Sequence, residues 1–397
     1  MLAASSILVL NGGSSSLRFA VARADARLTR LRKGKVVDVG RPGAHLAVDQ
    51  DGVGVSARIE IDAADHAQAV ASLLAWLDSQ PALPPIGAVG HRIVHGMQHF
   101  EPERVTSALL HDLRTILPSD PDHLPIELAV IDGAMQCRPG LAQVACFDTL
   151  FHRNLPRIAA MLPIPRRFEA KGIRRYGFHG ISYTWLMEAL AKADGPAVQG
   201  RVILAHLGSG ASLAAVSAGR CVDTTMSLTP TAGLVMGTRS GDLDPGLGPY
   251  LQRTAGVSSE QFLAMINHES GLLGISETTA DMRELLAREA ADSRAADAIA
   301  LFCYQAAKGI GAFAAALDGV ETLVFSGGIG ETSDVVRSRI CERLAFLGLS
   351  LDDGANACHA GVISTPDSRI TVRVIPTDEE HVIARSVRDL LETETDR

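Results

Sequence analysis

The chain has 397 residues, of which 47% are hydrophobic and 21% are charged. A single domain of typical size has about 100–200 residues, so this length predicts two domains with a cleft between them. The 45 acidic side chains outnumber the 37 basic ones and give a net charge of −8, which excludes a broad basic surface for nucleic acid or an anionic membrane.

The cysteines and the N-terminal residues indicate a reducing compartment. The six cysteines contain no C-x-x-C pair and no zinc-ligand spacing, so we expect buried thiols that act as small apolar side chains. Residues 1–13 lack the basic start and the long apolar stretch of a signal peptide. No uninterrupted apolar run approaches the roughly 18 residues of a membrane span. We therefore expect a cytoplasmic protein.

The first elements form a strand, a glycine-rich turn and a second strand. Residues 7–10 are a continuous apolar run, residues 11–16 are rich in glycine and serine, and residues 17–21 alternate in polarity. Prolines 81, 84 and 85 mark a loop before a further strand at residues 88–91. Prolines 163 and 165 mark another loop, near the expected domain boundary.

The same order of elements returns in the second half. Residues 202–205 predict a strand, residues 206–212 a glycine-rich turn and residues 213–216 a second strand. Gly12, Ser16 and Leu17 match Gly208, Ser212 and Leu213 at a constant offset of 196 residues. This offset is close to half the chain, so we predict that one α/β unit is duplicated and that the two copies face each other.

Helices dominate the rest of the second half. Residues 258–261 carry the Ser-x-x-Gln pattern of a capping box, and apolar residues at helical spacing over 299–313 predict one buried stripe. Residues 322–325 predict a third buried strand, which ends in a glycine turn at 326–331. Residues 379–391 predict a final helix, with a disordered acidic tail after it.

Three glycine-rich turns that follow buried strands suit a nucleotide site, because glycine lets backbone N–H groups approach phosphate oxygens closely. Each turn taken alone is more often an ordinary hairpin turn. The sequence has neither a Walker A motif nor a G-x-G-x-x-G fingerprint, which excludes P-loop and Rossmann sites. A different kind of phosphate cradle is expected.

Four polar side chains are candidates for the chemistry. Arg92 and Arg239 could bind one anion with planar guanidinium groups, although each could also form a surface ion pair. Asp148 follows a hydrophobic stretch and could orient an arginine, and His179 beside a glycine could donate to a phosphoryl oxygen. The chain has 13 histidines, most of which are expected to be structural. Asp242 and Asp244 read as turn or cap residues.

Taken together, these motifs resemble the acetate/propionate kinase family. The matching stretches occur in the family's order over about residues 5–390, and they are 11–19, 91–96, 147–149, 174–180, 206–212, 236–245 and 327–331. The resemblance implies an α/β fold of two duplicated ribonuclease-H-like domains, shared with actin, Hsp70 and sugar kinases, with a nucleotide cleft between them. It implies a homodimer. We expect residues 1–152 with 381–397 to form one domain and residues 153–380 to form the other.

The family pattern also implies a role for each matched residue. The expected catalytic residues are Arg92, Asp148, His179 and Arg239, and the expected acyl-substrate site consists of Arg92, Val94, His123, Phe178 and Pro230. The expected nucleotide-binding residues are Asn11, Ser14, Ser16, Arg18, His206, Gly208, Ser209, Gly210, Gly328, Ile329, Gly330 and Glu331, with Ser212 also in the phosphate cradle. Mg²⁺ would be held by Asn11 and Glu379.

The implied reaction is direct in-line transfer of the ATP γ-phosphoryl group to acetate, without a covalent nucleophile. Three residues depart from the family pattern. Ser209 and Thr332 each replace an asparagine, and Asp122 replaces the leucine that lines the methyl pocket. Because of Asp122, a larger or hydroxylated acid is an alternative acceptor. The fold by itself is also compatible with a different phosphoryl donor or with a non-catalytic nucleotide sensor.

Overall fold

The computed structural model describes residues 5–49 and 55–395 of the chain. Contacts within the chain divide it into two units. The first unit consists of Met1–Leu150 together with Asp378–Arg397, and the second is Phe151–Thr377. The division differs by a few residues from the expected one, and it places Glu379 in the first unit instead of the second.

The first unit is built on an eight-stranded sheet with the strand order β5-β4-β3-β2-β1-β6-β8-β7. Its strands are β1 Ser6–Gly13, β2 Ser16–Arg23, β3 Arg30–Val37, β4 His45–Asp49, β5 Val55–Glu60, β6 Ile86–Ile93, β7 Glu103–Arg104 and β8 Ala142–Phe147. Its helices are α1 His66–Asp78, α2 Ser107–Thr115, α3 Leu124–Cys137 and the C-terminal helix Glu379–Thr395, with a 3₁₀ turn at Leu117–Ser119. Buried aliphatic side chains of β1, β2 and α1 form its main core.

The second unit has a five-stranded sheet with the order β11-β10-β9-β12-β13. Its strands are β9 Arg201–Leu207, β10 Ala211–Ser217, β11 Arg220–Thr224, β12 Thr322–Ser326 and β13 Thr371–Val374. Its helices are α4 Arg157–Ala160, α5 Arg166–Glu169, α6 Gly180–Ala193, α7 Leu247–Ala255, α8 Ser259–Ala264, α9 Gly271–Ser276, α10 Met282–Arg288, α11 Ser293–Ala316, α12 Gly327–Thr332, α13 Asp334–Glu342 and α14 Asp353–Ala357. One turn of π-helix, Met265–Glu269, follows α8.

The two units share one five-stranded topology, which confirms the predicted duplication. In each, the first three strands are antiparallel neighbours, and the next two run parallel to the first strand on its other side. The predicted residue match is wrong across the hairpin. Gly12 pairs with Leu17, whereas Leu213 pairs with Ala205, and Gly208 donates its N–H to the carbonyl of Gly210. The hairpins differ in length, so one constant offset cannot align both strands.

The first long helix after the fifth strand of each unit belongs to the other unit and packs on the sheet there. After β8 and the short helices α4 and α5 comes α6, which packs on β9 within the second unit, and after β13 comes the C-terminal helix, which packs on β6 and β1 within the first unit. The fit of the C-terminal helix is close. A Cβ atom at Gly90 of β6 would lie 2.6 Å from Ile383 Cγ2 and 2.8 Å from Val387 Cγ2. Glycine at this position therefore allows the helix to reach the sheet.

Several local predictions can be compared directly. The capping box is confirmed: the Ser258 side chain and the Gln261 side chain each accept a backbone N–H bond at the start of α8. The glycine turn after β12 is wrong, because residues 327–332 form the short helix α12. The acidic tail is wrong over residues 392–395, which continue the C-terminal helix, and residues 396–397 lie outside the described part of the chain.

Burial corrects the expectation for two of the cysteines. Four of the six free cysteines are buried, but Cys137 is half-buried and Cys358 is exposed. By length and composition, one described helix, α11, is apolar enough to cross a membrane, with a mean hydropathy of 1.3. Half of that stretch is buried, including the predicted stripe at residues 299–313. Its role as the core helix of the second unit explains this apolar character.

Candidate active site

The first-unit cluster, defined by Asn11, Arg92, Asp148 and Glu379, forms where parallel strands end. Arg92 lies at the end of β6, and Asp148 follows β8 directly, so strand pairing brings them together. Arg92 Nη2 donates to Asp148 Oδ2 at 2.6 Å, and the two side chains are 16% and 1% exposed. A buried ion pair is stable only if a short hydrogen bond offsets the loss of hydration, and the 2.6 Å contact between Arg92 and Asp148 meets this condition.

Asn11 and Glu379 complete this cluster around the same guanidinium group. Asn11 Oδ1 accepts from Arg92 Nη1 at 3.4 Å, and Glu379 Oε2 lies 3.9 Å from Arg92 Nε. Burial and the negative charge of Asp148 together raise the pKa of Glu379 to about 7, even though Arg92 lowers it. Burial alone would lower the pKa of Arg92, but the carboxylates of Asp148 and Glu379 outweigh it and keep the guanidinium charged.

Two further buried acids lie behind this cluster, and the sequence did not indicate them. Glu127 on α3 accepts the backbone N–H of Val94 at 3.0 Å, and its Oε2 atom is buried without a hydrogen-bond partner. Burial and the nearby Asp120 raise the pKa of Glu127. Asp120 in turn contacts Nδ1 of His123 at 2.8 Å. Two predicted substrate residues, Val94 and His123, are therefore held by buried carboxyl groups.

The β1–β2 hairpin carries the other predicted phosphate residues of the first unit. Gly13 pairs with Ser16, so only Ser14 and Ser15 form the turn. Ser14 and Arg18 are exposed to solvent. The positive charge of Arg18 also lowers the pKa of Glu379, although less than the burial and charges already described raise it. The hairpin thus presents hydroxyl groups and one cation beside the cluster.

In the second unit, the β9–β10 turn at Gly208–Gly210 is covered by the side chains of Arg239 and His179. A Cβ atom at Gly210 would lie 2.8 Å from Arg239 Nη2 and 3.3 Å from His179 Nε2. Arg239 Nη1 donates to the carbonyl of Pro230 at 2.7 Å. The absence of a side chain at Gly210 therefore leaves the turn's backbone open directly beneath an arginine and a histidine.

The predicted residues His179 and His206 stack on each other, with ring centroids 4.3 Å apart. His179 has a left-handed backbone, φ +58°, at the N-cap of α6, a conformation that costs a non-glycine residue about 1–2 kcal/mol. Such strain occurs most often at functional sites. Ser212 does not face a phosphate as expected. It is fully buried, and its Oγ contacts His179 Nδ1 at 2.8 Å.

The remaining predicted residues of the second unit lie nearby on α12 and in the core. A Cβ atom at Gly208 would lie 3.7 Å from the backbone N of Gly328, so the turn and the start of α12 adjoin. The Glu331 carboxylate accepts from the backbone N–H groups of Gly327 and Thr377 at 2.9 and 3.0 Å, a structural role that the sequence did not indicate. Phe178 is fully buried. Ile329 and Gly330 belong to the same short helix.

The predicted Mg²⁺ ligands, Asn11 and Glu379, carry the kind of oxygen donors that Mg²⁺ binds. Asn11 and Glu379 offer hard amide and carboxylate oxygens, and Glu379 is 15% exposed. Among the described residues, no group of three or more His, Cys, Asp or Glu side chains could cage a metal by itself. Mg²⁺ commonly takes only one or two protein carboxylates and completes its shell with water and phosphate oxygens, which this donor set allows.

A duplicated α/β fold of this topology, with an open glycine turn under an arginine and a histidine in one unit and a buried arginine–carboxylate cluster in the other, defines a kinase of the actin-like superfamily. The family model of the acetokinase family matches residues 6–385. This chain belongs to the acetokinase family.

Individual relatives agree over nearly the whole chain. The acetate kinase of Rhodopseudomonas palustris is 41% identical over 391 residues, which cover 96% of this chain and 97% of that protein. The crystal structure of the Porphyromonas gingivalis acetate kinase covers 98% of this chain and 100% of that one, at 35% identity and a TM-score of 0.87. A propionate kinase from Francisella tularensis covers 96% and 98%, at 34% identity and a TM-score of 0.90.

Proposed function

We propose that this chain transfers the γ-phosphoryl group of ATP reversibly to the carboxylate of acetate, giving acetyl phosphate and ADP. The observation that carries this proposal is the convergence of His179 and Arg239 over the bare backbone of Gly210. Membership of the acetokinase family supports a carboxylate as the acceptor.

The proposed chemistry relies on positioning and charge. A carboxylate oxygen of acetate attacks the γ-phosphorus atom, the bond from that atom to the β–γ bridging oxygen breaks, and ADP leaves with the electron pair. Acetate is already an anionic nucleophile, so no general base is required. We assign Arg92 and Arg239 to the acetate carboxylate and the transferring phosphoryl group, and His179 to the equatorial phosphoryl oxygens. Asp148 would align Arg92 through the 2.6 Å contact between them.

The nucleotide and the metal are assigned to the residues that the sequence indicated. The β1–β2 hairpin, the Gly208–Gly210 turn and the start of α12 would bind the phosphates and adenosine. Asn11 and Glu379 would hold Mg²⁺, which when bound neutralises phosphate oxygens. This role requires the Glu379 carboxylate to be deprotonated. We also propose a cytoplasmic homodimer, in line with the acidic net charge of −8 and the free cysteines.

A second candidate acceptor is propionate. The propionate kinase of Francisella tularensis has a TM-score of 0.90 against this chain, no lower than that of the acetate kinase quoted above. The partly buried Asp122, next to His123, also keeps a hydroxylated acid open as a substrate. The shape of the acyl pocket decides between these acids, since one methylene in a pocket is worth about 1–3 kcal/mol.

The test is a steady-state assay with ATP and Mg²⁺ in which acyl phosphate is trapped as hydroxamate. Acetate, propionate, butyrate, glycolate and lactate are compared by kcat/KM. We expect acetate to give the highest value. In the Arg239→Ala variant, kcat should fall about 10²–10³-fold, the range for loss of one preorganised donor to transition-state charge.

Arg283→Ala is the matched control, because Arg283 is an exposed arginine of the same unit that pairs only locally with Asp281. It should keep wild-type turnover. A preference for propionate or a hydroxylated acid would move the assignment to that substrate. Absence of turnover with all five acids and ATP would reject the proposed function.

A further inference from the structure

Two histidine–serine pairs lie side by side in the second unit. Ser212 Oγ contacts Nδ1 of His179 at 2.8 Å, and Ser182 Oγ contacts Nδ1 of His206 at 2.9 Å. In both rings, therefore, Nδ1 points toward a hydroxyl group and Nε2 points toward the β9–β10 turn. His179 Nε2 lies 3.3 Å from the Cβ position of Gly210, and His206 Nε2 lies 3.9 Å from that of Gly208.

The serine of each pair has a different second partner, and this partner determines which group donates the proton in each hydrogen bond. Ser212 Oγ also contacts Tyr183 Oη at 2.5 Å, whereas Ser182 Oγ contacts the hydroxyl of Thr377 at 2.8 Å. Tyr183 and Ser212 are both fully buried. A phenol with a pKa of about 10 is a far better proton donor than an aliphatic hydroxyl. In the short contact, Tyr183 should therefore donate, and Ser212 should accept.

This direction leaves the Ser212 proton for its other neighbour. A hydroxyl has one proton to donate, and the nearest remaining acceptor of Ser212 is Nδ1 of His179. A neutral imidazole that accepts at Nδ1 carries its proton on Nε2. That Nε2–H then points toward the turn that Arg239 also covers.

We propose that Tyr183 and Ser212 are positioning residues that hold His179 as the neutral Nε2–H tautomer, so that this N–H donates to the transferring phosphoryl group. The inference deepens the proposed function and depends on it only for the identity of the phosphoryl acceptor. In the opposite tautomer, the Nε2 lone pair would face an anionic phosphoryl oxygen and repel it. The hydrogen-bond relay from Tyr183 through Ser212 to His179 therefore determines whether His179 attracts or repels the phosphoryl group.

The tautomer can be observed directly in the full-length protein. Histidine side chains are labelled selectively with ¹⁵N, and the His179 signals are assigned from their loss in a His179→Gln variant. In the wild type at pH 7.5 without nucleotide, we expect Nε2 to show the shift of a protonated ring nitrogen and Nδ1 that of an unprotonated acceptor. In Tyr183→Phe, which removes only one hydroxyl group, both tautomers should appear.

The same variants are tested for turnover by the hydroxamate assay. Tyr183→Phe should lower kcat about 5–30-fold and change the KM for ATP less than about twofold, as expected for a lost contact made mainly in the transition state. Ser212→Ala should lower kcat further, by about 10²-fold. Tyr304→Phe, which removes a hydroxyl from an exposed tyrosine of α11, is the matched control and should leave both kcat and the tautomer unchanged.

Each result bears on one claim. A wild-type His179 that carries its proton on Nδ1, or that is doubly protonated at pH 7.5, overturns the relay. So does a Tyr183→Phe variant with an unchanged tautomer and unchanged kcat. A wild-type protein with the expected tautomer but no turnover on any carboxylic acid would instead reject the proposed function and leave the relay intact.

Discussion

The two units present their candidate residues in different electrostatic settings. The first-unit cluster gathers ionisable groups around Arg92, with Asp148 almost out of contact with water, Glu379 partly buried and Glu127 buried behind them. In the second unit, Arg239 and His179 lie over a backbone turn and are held by a carbonyl and by neutral hydroxyl groups. The first arrangement depends on charge balance, and the second depends on shape and proton direction.

The largest effects are expected when the arginine of each unit is removed in turn, which tests this difference between the two units. Arg92→Ala should lower kcat about 10³-fold and the free energy of unfolding by about 3 kcal/mol, because it leaves the buried carboxylate of Asp148 without its cation. Arg239→Ala should lower kcat about 10²–10³-fold with little loss of stability. The measurements are hydroxamate turnover and urea unfolding.

Arg114→Ala serves as the first-unit control, since Arg114 pairs with Asp132 on the surface, where both side chains are 40–49% exposed. It should change stability by less than about 1 kcal/mol. Equal losses of stability in the Arg92 and Arg239 variants would show that the two settings do not differ in the way described.

Filling the space above the second-unit turn should affect activity alone. In Gly210→Ala, the new methyl group would lie 2.8 Å from Arg239 Nη2, so the guanidinium group must move away. We expect kcat to fall about 10²-fold, because misplacement of a catalytic group by about 1 Å has an effect of this size. Gly195→Ala is the control, since a Cβ atom there meets nothing within 4 Å. An unchanged kcat in Gly210→Ala would mean that the turn is not where phosphate binds.

Stability of the first unit should depend on pH through Glu379. Its pKa of about 7 in the folded protein exceeds the ordinary value of 4.5, so the folded state binds the proton more tightly than the unfolded state. The free energy of unfolding should therefore fall as pH rises from about 4.5 to 7, by up to about 3 kcal/mol. Glu379→Gln should abolish this loss.

Urea unfolding at pH 5 and pH 8 without divalent cations measures the effect. Glu392→Gln, at an exposed position of the same helix, should keep the wild-type slope with pH. A Glu379→Gln variant with that same slope would contradict the assigned pKa.

The smallest expected effect concerns the tip of the β9–β10 turn. Ser209 is exposed there, and it stands where the family usually has a longer asparagine. Ser209→Asn should lower the KM for ATP about two- to threefold, since one additional hydrogen bond is worth about 0.5–1.5 kcal/mol. Unfolding by urea should not change. A KM that stays the same or rises would show that this side chain does not reach a phosphate.

Local and repeated features of this fold could be predicted from the sequence. Glycine-rich hairpins after buried strands indicated the duplication, and the ends of parallel strands brought Arg92 and Asp148 together as expected. The capping box at Ser258 followed from two residues three apart. In each case, the signal lies within a few residues or in a simple strand period.

The remaining features depend on contacts between distant parts of the chain. Ser212 has the same local sequence whether its hydroxyl faces a phosphate or a histidine, and only the packing of α6 turns it toward His179. The Glu331 carboxylate is occupied because Thr377, 46 residues later, passes beside it. Ser182 and Tyr183, which follow His179 in the stretch His179-Gly180-Ile181-Ser182-Tyr183, were the one local sequence signal of this hydrogen-bond relay.

The exchanged C-terminal helix has a consequence for how the chain is made. The sheet of the first unit is complete by residue 150, but its covering residues Val382, Ile383 and Val387 are translated only after the whole second unit. At about 5–20 residues per second, ribosomes would take roughly 10–50 seconds to reach them. During that time, the face of the first-unit sheet at Gly90 lacks the helix that covers it in the folded chain.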